Sequence, residues 1–295
     1  MGVDRAYNRC DGFTLIELSI VLVVIGLIVG GILVGQSLIN AAAVRAQVTQ
    51  IEKYNTAANT FREKYGYLPG DIKDPDASSF GFIARGQYAG EGDGNGVIQG
   101  SYGGPGNNHG DAEGAGETLL FWSDLSAAHL IEGSFTLATP NTPMSTTSPA
   151  SYFPLGKIGR GNYVYAWSGS NAAYNGGSST NYYGLSTVSG VASNVIVSTP
   201  GLAVAEAYNI DQKIDDGLPQ SGKVLAFYLS SGNIPTWAGN STNNGGVPFT
   251  TAIQGSSSTC FDNGNVAGAA QQYSIEISSG ANVTCGLSFK MQAGD

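Results

Sequence analysis

Charged side chains are scarce in this sequence. Asp, Glu, Lys and Arg make up 12% of the 295 residues, about half the usual share for a soluble domain. The 13 Lys and Arg residues are scattered along the chain and are outnumbered by 22 Asp and Glu, which gives a net charge of -9. Proteins that bind nucleic acid use clustered basic side chains to neutralise phosphates. The sequence therefore predicts no nucleic-acid partner.

Signatures of catalysis are also missing. The chain has two histidines and contains no G-x-S-x-G, H-E-x-x-H or phosphate-loop string, so no elbow nucleophile, zinc site or phosphate site is visible. His109 lies in a predicted glycine-rich loop, and His129 lies on a predicted apolar helix, where packing is the usual role of a histidine. We expect no enzyme activity and no organic cofactor.

Proline is absent before Pro69, and charge is nearly absent from residues 13–44, where Glu17 is the only charged side chain. The stretch Leu18–Gly35 contains no charged residue at all. A membrane-spanning helix needs roughly 20 apolar residues, so this region is long enough to cross a bilayer. The alternatives are a removed secretory signal, whose apolar stretch is shorter, and a buried core helix, which is seldom this long.

The helical pattern continues after the apolar run. Apolar residues recur at helical spacing with polar residues on the other face; they are Val44, Val48, Ile51, Ala58, Phe61 and Tyr65. Gly66 supplies a helix end, and Pro69 with Gly70 supplies a turn. The sequence therefore predicts one helix from about Thr14 to Tyr65, whose first half requires a membrane and whose second half requires protein neighbours.

The string GFTLIEL at Gly12–Leu18 stands at the start of this helix. Together with the apolar run and the long amphipathic helix, it resembles the N-terminus of type IV prepilins and of the pseudopilins of type II secretion. The resemblance covers about the first 60 residues. It implies that a prepilin peptidase cleaves after Gly12 and methylates the new N-terminus at Phe13. The predicted organisation is a leader at 1–12, a long helix at 13–65 with 13–35 in the membrane or filament core, and a head at 66–295.

Glu17 is the one carboxylate within the apolar segment. Such a group costs about 2.5–3.5 kcal/mol at the centre of a spanning helix, so it is a functional-site hypothesis by default. The resemblance implies that Glu17 pairs with the N-terminal amine, at Phe13, of a neighbouring subunit in a filament. The alternative is that Glu17, in the first helical turn, only complements the positive end of the helix dipole.

Four glycines interrupt the apolar helix in two overlapping small-xxx-small frames: Gly26, Gly30, Gly31 and Gly35. Small residues at this spacing let helices approach closely in a membrane. Glycine also costs about 1 kcal/mol relative to alanine inside a helix. We expect these glycines to form a contact face for a neighbouring helix, and we expect this stretch to be the part of the helix that unwinds most easily. The alternative is that they reflect only loose, unspecific packing in a membrane.

The remainder of the chain is rich in Gly, Ser, Asn and Thr with short apolar runs. It predicts an α+β architecture, in which an antiparallel β-sheet head with extended loops packs on the second half of the long helix, as in pilins. The predicted strands are Asn162–Trp167, Ser193–Ser198, Lys223–Leu229, Gln271–Ile277 and Val283–Lys290. The predicted helices are Glu117–Ile131 and Leu202–Ile214.

Cysteine is almost absent as well. Cys10 belongs to the predicted leader, which leaves Cys260 and Cys285 in the processed chain. A C-x-x-C string, which would indicate a redox or metal role, does not occur. In an exported protein such a pair is read as a disulfide, and the resemblance implies the same, because many pilins tie a C-terminal loop with one disulfide.

The string GEGDGNGVI at Gly90–Ile98 is similar to the first half of a calcium loop. Its candidate ligands are Glu91, Asp93 and Asn95, and Tyr102 stands where a bidentate glutamate is expected. A plain Gly/Asn turn is the alternative. A second acidic group follows later in the chain: Asp211, Asp215 and Asp216. The alternatives are that these residues supply distant calcium ligands, or that they cap the predicted helix Leu202–Ile214 and begin a turn.

These features predict a structural subunit of an extracytoplasmic filament. Its expected partners are other copies of itself, related pilins, the prepilin peptidase, the assembly machinery of the bacterial inner membrane and, before assembly, membrane lipid. A type II secretion pseudopilin and a minor tip pilin are alternatives within the same class. An alternative of another class is a membrane-anchored module that binds carbohydrate or a surface. No cofactor is expected, calcium excepted.

Overall fold

The computed structural model describes residues 13–101, 114–144, 148–169, 179–192, 195–230, 235–239, 259–264, 266 and 268–292. The predicted leader with Gly12 and Cys10, and also His109, Tyr102 and Ser193, lie outside the described residues. The chain forms two compact units, Met1–Ala42 and Ala43–Asp295.

Helix α1 spans Leu15–Tyr65, which confirms the helix predicted from about Thr14 to Tyr65. In the first unit its apolar side chains are exposed; Leu15, Leu27 and Leu33 are 88%, 72% and 62% accessible. By length and composition, α1 is able to cross a membrane. An unbroken helix follows from the absence of proline, since a proline inside a helix removes a hydrogen bond and clashes with the preceding turn.

In the second unit one face of α1 is buried. The buried residues are Val44, Gln47, Gln50, Ile51, Tyr54, Asn55, Ala57, Ala58 and Phe61. Four members of the predicted apolar stripe are among them: Val44, Ile51, Ala58 and Phe61. The second half of α1 is therefore part of the hydrophobic core of the second unit.

Polar side chains on this buried face bind backbone groups. Gln50 donates from Nε2 to the carbonyl of Leu155 at 2.8 Å and accepts at Oε1 from the backbone N–H of Lys157 at 2.9 Å. Gln47 accepts from the backbone N–H of Ile158 at 3.1 Å. Gln47 is a polar residue between the stripe positions Val44 and Val48, and it is nevertheless completely buried. Its amide side chain satisfies a loop N–H group that would otherwise be buried without a partner.

Three further α-helices are present among the described residues: α2 (Asp76–Ser79), α3 (Glu117–Ala127) and α4 (Val204–Ile214). Two short 3-10 helices lie at Pro149–Ser151 and Ile277–Gly280. The prediction of a helix at Glu117–Ile131 is right in position but too long, and His129 lies beyond its end at a φ of 57°. It is not on the helix as predicted. The predicted helix at Leu202–Ile214 begins two residues later, at Val204.

The described strands are β1 (Asn162–Ser168), β2 (Asn181–Ala192), β3 (Val195–Thr199), β4 (Leu202–Ala203), β5 (Val224–Leu225), β6 (Phe227–Leu229), β7 (Pro235–Trp237), β8 (Phe261–Asp262), β9 (Gln272–Tyr273), β10 (Val283–Cys285) and β11 (Leu287–Lys290). The main antiparallel sheet has the order β1-β2-β11-β5, and β3 also pairs with β2. The pairs β4–β10, β6–β7 and β8–β9 form separate two-stranded sheets.

This topology confirms the predicted α+β class and corrects several strands. The predicted strand Asn162–Trp167 is β1, and the described part of Ser193–Ser198 belongs to β3. The predicted strands Lys223–Leu229 and Val283–Lys290 each divide between two sheets, because Ala226 and Gly286 separate segments that pair with different partners. Gln271–Ile277 forms only the short strand β9 before a turn.

An aromatic cluster joins the long helix to the sheet in the second unit. The ring of Trp122 on α3 lies 4.9 Å from that of Tyr54 on α1 in an edge-to-face arrangement. Phe121 lies 5.9 Å from Tyr183 on β2. Because α3 packs against both α1 and the sheet, ten of its 11 residues are buried.

Candidate functional site

The start of α1 places Glu17 against Thr14. The backbone N–H and the hydroxyl of Thr14 both donate to Oε2 of Glu17 at 2.8 Å, and the N–H of Glu17 donates to the Thr14 hydroxyl at 3.3 Å. This reciprocal pattern satisfies N–H groups that have no partner at a helix start. In the single chain Glu17 therefore acts as a helix cap, and its pairing with another subunit's amine stays a prediction.

The four glycines of the apolar helix have open space around them. A Cβ atom built on Gly26, Gly30, Gly31 or Gly35 meets no heavy atom within 4 Å. Within the described part of the chain, no neighbouring atom would clash with a larger side chain at these four positions, so intrachain packing does not require glycine there. Their predicted role in helix packing is not tested by a single chain.

A second site is an acidic cluster in the head, formed by Asp71, Asp93 and Glu117. Each contributes a carboxylate oxygen that lies within 4.8 Å of the others. Asp71 is 1% exposed and Glu117 is completely buried. Asp71 follows the turn after α1, and Glu117 begins α3, so the cluster draws together segments that are distant in sequence.

The loop after Gly90 surrounds these carboxylates with its backbone N–H groups. Asp71 accepts hydrogen bonds from the N–H groups of Gly94, Asn95 and Gly96 at 2.8, 3.2 and 2.8 Å. Gly94 and Gly96 have φ angles of 76° and 84°, a conformation that glycine adopts without steric cost. The alternating glycines therefore let successive N–H groups turn towards one buried carboxylate.

Glu117 binds the same loop from the other side. It accepts from the N–H groups of Gly92 and Asp93 at 3.0 and 3.3 Å through Oε1, and from that of Gln99 at 2.8 Å through Oε2. The amide side chain of Asn181 on β2 adds a bond to the carbonyl of Gly96 at 2.9 Å. The cluster thus holds the loop by hydrogen bonds to its backbone.

The predicted calcium ligands separate in the structure. Glu91 accepts from the N–H of Tyr88 at 3.2 Å and from the hydroxyl of Ser101 at 3.3 Å, outside the acidic cluster. Asn95 uses its side-chain oxygen for the N–H of Val97 at 2.7 Å. Of the three predicted ligands, Asp93 alone joins the acidic cluster.

Sequence reasoning missed the two buried members of the cluster, Asp71 and Glu117. The available signals were an acid directly after the Pro69–Gly70 turn and an acid at the start of a strongly apolar helix. Calcium binding stays a prediction. If it occurs in this loop, the donor set is Asp71, Asp93 and Glu117.

A second acidic group contains Asp211, Asp215 and Asp216. Asp211 is buried and accepts from the hydroxyl of Tyr273 at 2.8 Å and from the N–H of Gly217 at 3.2 Å. Asp216 accepts from the N–H of Leu218 at 2.8 Å. These bonds stabilise the turn after α4. This agrees with the second of the two roles predicted from the sequence, in which the acids cap a helix and begin a turn.

Burial makes the acidic cluster sensitive to pH. It raises the pKa of Asp71 to about 7, and nearby Asp93 adds to this effect while the loop N–H groups oppose it. Burial, followed by the charge of Asp71, also raises the pKa of Glu117 well above its usual range. The folded chain therefore binds a proton here more tightly than the unfolded chain does.

This difference predicts higher stability at lower pH. Because the pKa of Asp71 is raised in the folded state, the free energy of unfolding should increase by about 1–2 kcal/mol as the pH falls from about 8 to 5.5. Asp71→Asn should reduce this increase, whereas Asp74→Asn should not, because Asp74 is exposed and its hydrogen bonds lower its pKa. Urea unfolding of the full chain in detergent micelles measures this, and equal slopes for wild type and Asp71→Asn would contradict it.

A buried ion pair anchors the segment that carries Asp71. Arg85 donates from Nη2 to both carboxylate oxygens of Asp124 on α3, at 2.7 and 2.6 Å. Asp124 also accepts from the N–H of Gly70 at 2.7 Å, and Arg85 donates to the carbonyl of Ile72 at 3.1 Å. The residues on both sides of Asp71 are thereby attached to α3.

The structure contains the disulfide between Cys260 and Cys285 that the sequence predicted. Both cysteines are completely buried. Cys285 ends β10, and Cys260 immediately precedes β8, so the bond connects two of the small sheets. A structural role follows from this burial.

Loss of the disulfide should destabilise the head. For a separation of 25 residues, loop closure accounts for about 3–4 kcal/mol. The double variant Cys260→Ser/Cys285→Ser should lower the free energy of unfolding by this amount in urea titration under oxidising conditions. A reactive thiol at Cys260 in the unreduced native protein would contradict the pairing.

Residues 7–33 match the family model described as the prokaryotic N-terminal methylation motif. This motif is the signature of type IV prepilins and pseudopilins, which confirms the resemblance carried by Gly12–Leu18. Comparison with curated proteins and with solved structures finds no match. The motif and the apolar helix, which begins within it at Leu15, support the type IV pilin and pseudopilin class, with membrane anchoring before assembly.

Proposed function

Since the chain carries the N-terminal signature of type IV prepilins and pseudopilins, we propose that it is a structural subunit of a type IV pilus-like filament. A prepilin peptidase cleaves it after Gly12 and methylates Phe13, and the processed chain polymerises through α1. The observation that carries this proposal is a methylation motif at residues 7–33 that includes the start of an apolar helix with exposed side chains. Proteins of this class serve structural roles.

The exposure of α1 in the first unit supports polymerisation. Apolar surface gains about 25 cal/mol for each Å² removed from water, so side chains such as Leu27 at 72% exposure require an apolar environment. Membrane lipid supplies this environment before assembly. Neighbouring copies of α1 supply it afterwards, and the subunit moves from the inner membrane into a filament outside the cytoplasm.

Glu17 has room for a partner in the assembled state. Both hydrogen bonds from Thr14 end on Oε2, and Oε1 accepts none within the described part of the chain. The methylated amine of Phe13 in a neighbouring subunit is the cation that fits there, because a charge-assisted bond offsets the cost of burying a carboxylate. The Thr14 cap keeps the carboxylate oriented until that partner arrives.

The open space around the four glycines is consistent with helix packing between copies. A helix face without side chains allows a second backbone to approach closely, which strengthens van der Waals contact where lipid offers no hydrophobic drive. The frames Gly26/Gly30 and Gly31/Gly35 therefore mark the expected contact faces in the filament core.

The decisive test is N-terminal mass analysis of the protein in two fractions, filaments sheared from the cell surface and washed membranes. We expect a terminus at methylated Phe13 in the sheared material. Recovery from membranes alone, with residues 1–12 still attached, would overturn the proposal and favour a membrane-anchored binding module. If the processed protein is found only in periplasmic filaments, the chain is a pseudopilin.

A further inference from the structure

The loop after Gly90 contains an asparagine followed by a glycine, Asn95–Gly96. Both residues are exposed, and they line a cavity of about 200 Å³ together with Asp71. The backbone nitrogen after an asparagine is able to attack the carbon of the asparagine side-chain amide, which releases ammonia. Glycine hinders this attack least, because it has no Cβ atom. The hydrogen bonds around Asn95–Gly96 favour the reaction at both of its reacting atoms.

The side chain of Asn95 is folded back towards the main chain. Its Oδ1 accepts a hydrogen bond from the N–H of Val97 at 2.7 Å, and this bond closes a ring of atoms that includes the Gly96 nitrogen. The Val97 N–H also draws electron density away from Cγ of Asn95, and it stabilises negative charge that develops on Oδ1 during an attack, as the donors of an oxyanion hole do. The Asn95 amide is therefore oriented and polarised as an electrophile.

The attacking atom is the backbone nitrogen of Gly96, whose N–H donates to Oδ2 of Asp71 at 2.8 Å. An amide nitrogen is a poor nucleophile until its proton begins to leave, and a carboxylate within hydrogen-bond reach is able to accept that proton. Asp71 is 1% exposed, and the N–H of Gly94 donates to its Oδ1 at 2.8 Å. The proton acceptor is therefore already in position before the reaction begins.

From these contacts we propose that Asn95 is a site of self-catalysed deamidation. The Gly96 nitrogen forms a bond to Cγ of Asn95 while its proton passes to Asp71. The bond between Cγ and Nδ2 then breaks, and Nδ2 takes up the proton and leaves as ammonia, so that a cyclic imide remains. Water from the adjacent cavity opens the imide and returns a proton to the Gly96 nitrogen. The product carries aspartate or isoaspartate at position 95.

Deamidation changes the charge of the loop permanently, because the ammonia is lost. In the unmodified chain, Nδ2 of Asn95 donates to Oδ2 of Asp93 at 2.9 Å. In the product a carboxylate stands in place of this donor, so repulsion between like charges replaces a hydrogen bond. The net charge of -9 also becomes more negative. The time since folding is thereby recorded in the surface charge of the chain.

A second Asn–Gly pair among the described residues, Asn263–Gly264, is a control within the same chain. The N–H of Gly264 donates to Oδ1 of Asp262 at 2.7 Å, so a carboxylate is present there too. Asn263 is 6% exposed, and its Nδ2 donates to the carbonyl of Val266 at 2.9 Å. Because burial limits the access of water to the side chain, we expect Asn263 to react slowly in the folded chain.

The test incubates the full chain in detergent micelles, once folded and once in urea, in water labelled with heavy oxygen at neutral pH. A metal chelator is included so that no cation competes for Asp71. Opening of the imide incorporates the label, so tandem mass spectrometry of proteolytic fragments reports deamidation at each asparagine. In urea, Asn95 and Asn263 should react at rates within about twofold of each other, because both precede glycine.

Folding should have opposite effects on the two pairs. We expect Asn95 to react about tenfold faster in the folded chain than in urea, and Asn263 to react more slowly. This comparison uses the wild type alone and needs no filament, so its outcome is separate from that of the proposed function. A folded chain in which Asn95 reacts no faster than in urea would overturn the proposal.

Two variants test the proton acceptor. Asp71→Asn removes the carboxylate that faces Gly96, so deamidation at Asn95 in the folded chain should fall about tenfold. Glu117→Gln is the matched control, because it changes the other buried carboxylate of the loop and leaves the bond from Gly96 to Asp71 in place. Its rate should stay within about threefold of the wild-type rate. Equal losses in both variants would assign the effect to loop order and overturn the role of Asp71.

Discussion

Glu17→Ala is expected to accumulate in the membrane at the wild-type level and to yield almost no sheared filaments. The substitution leaves the apolar run of α1 unchanged, so membrane insertion does not depend on it. It removes the carboxylate that we propose for the N-terminal amine of a neighbour. The loss of the Thr14 cap costs only about 1 kcal/mol in the single chain, too little to remove the protein from the membrane.

The matched control is Ser19→Ala, which changes another exposed polar residue near the start of α1. The Ser19 hydroxyl donates to the carbonyl of Ile16 at 2.9 Å, so this variant loses a local bond without losing a charge. Quantitative blotting of sheared and membrane fractions measures both variants. Equal filament yields from Glu17→Ala and Ser19→Ala would eliminate the pairing role, and Glu17 would then be a helix cap alone.

The largest expected loss of stability follows from Arg85→Met. The Asp124 carboxylate is 1% exposed, and without Arg85 it becomes a buried charge with no counter-charge. Breaking such a pair from one side costs about 3–5 kcal/mol. Burial already raises the pKa of Asp124, while Arg85 lowers it. The loss in Arg85→Met should therefore be smaller at about pH 5 than at about pH 8, because the unpaired carboxyl takes up a proton in the folded state.

Two further variants define the cause. Arg160→Met removes the other ion pair seen among the described residues, with Glu206, but the Arg160 side chain is 43% exposed, so the cost should stay below about 1 kcal/mol. Arg85→Met/Asp124→Leu removes the buried charge together with its partner. It should be more stable than Arg85→Met in urea titration, and a double variant no more stable than the single one would exclude the unpaired charge as the cause.

Several properties follow from short stretches of sequence read alone. The helix Leu15–Tyr65 was predictable because an apolar run, a helical stripe and the absence of proline are local features that all favour one conformation. The N-terminal signature is likewise a contiguous string. The disulfide was predictable because Cys260 and Cys285 are the two cysteines outside the predicted leader, so their pairing has one solution if the leader is removed.

The sheet was harder to predict because strand pairing depends on distant segments. Strand β2, at the centre of the main sheet, has the sequence NYYGLSTVSGVA, and its Gly and Ser residues weaken the strand pattern. Gly184 stands in this strand because a Cβ atom there would lie 2.1 Å from the ring of Tyr165 on β1. Only the neighbouring strand explains that residue, so no local pattern could reveal it.

The acidic cluster was likewise predictable only in the part that one short stretch of sequence encodes. The loop GEGDGNGVI indicated a turn rich in backbone N–H donors and oxygen ligands, and that much is local. The acids that the loop surrounds, Asp71 and Glu117, lie 19 or more positions away from Gly90 in the chain. Asp71 and Glu117, and not Glu91, form the cluster because α3 packs against the turn after α1. That packing brings both carboxylates to the loop, where several N–H groups donate to them and offset the cost of burying them.

The sequence by itself determined the membrane-competent helix, the processing motif, the α+β class and the disulfide partner, since each depends on composition, periodicity or a contiguous string. The tertiary structure alone decided which polar residues of α1 are buried, how the short strands divide among sheets and which acids form the cluster. These depend on contacts between residues far apart in the chain. Packing between distant residues can outweigh the helix or strand propensity of a short segment, so a local pattern does not predict such contacts.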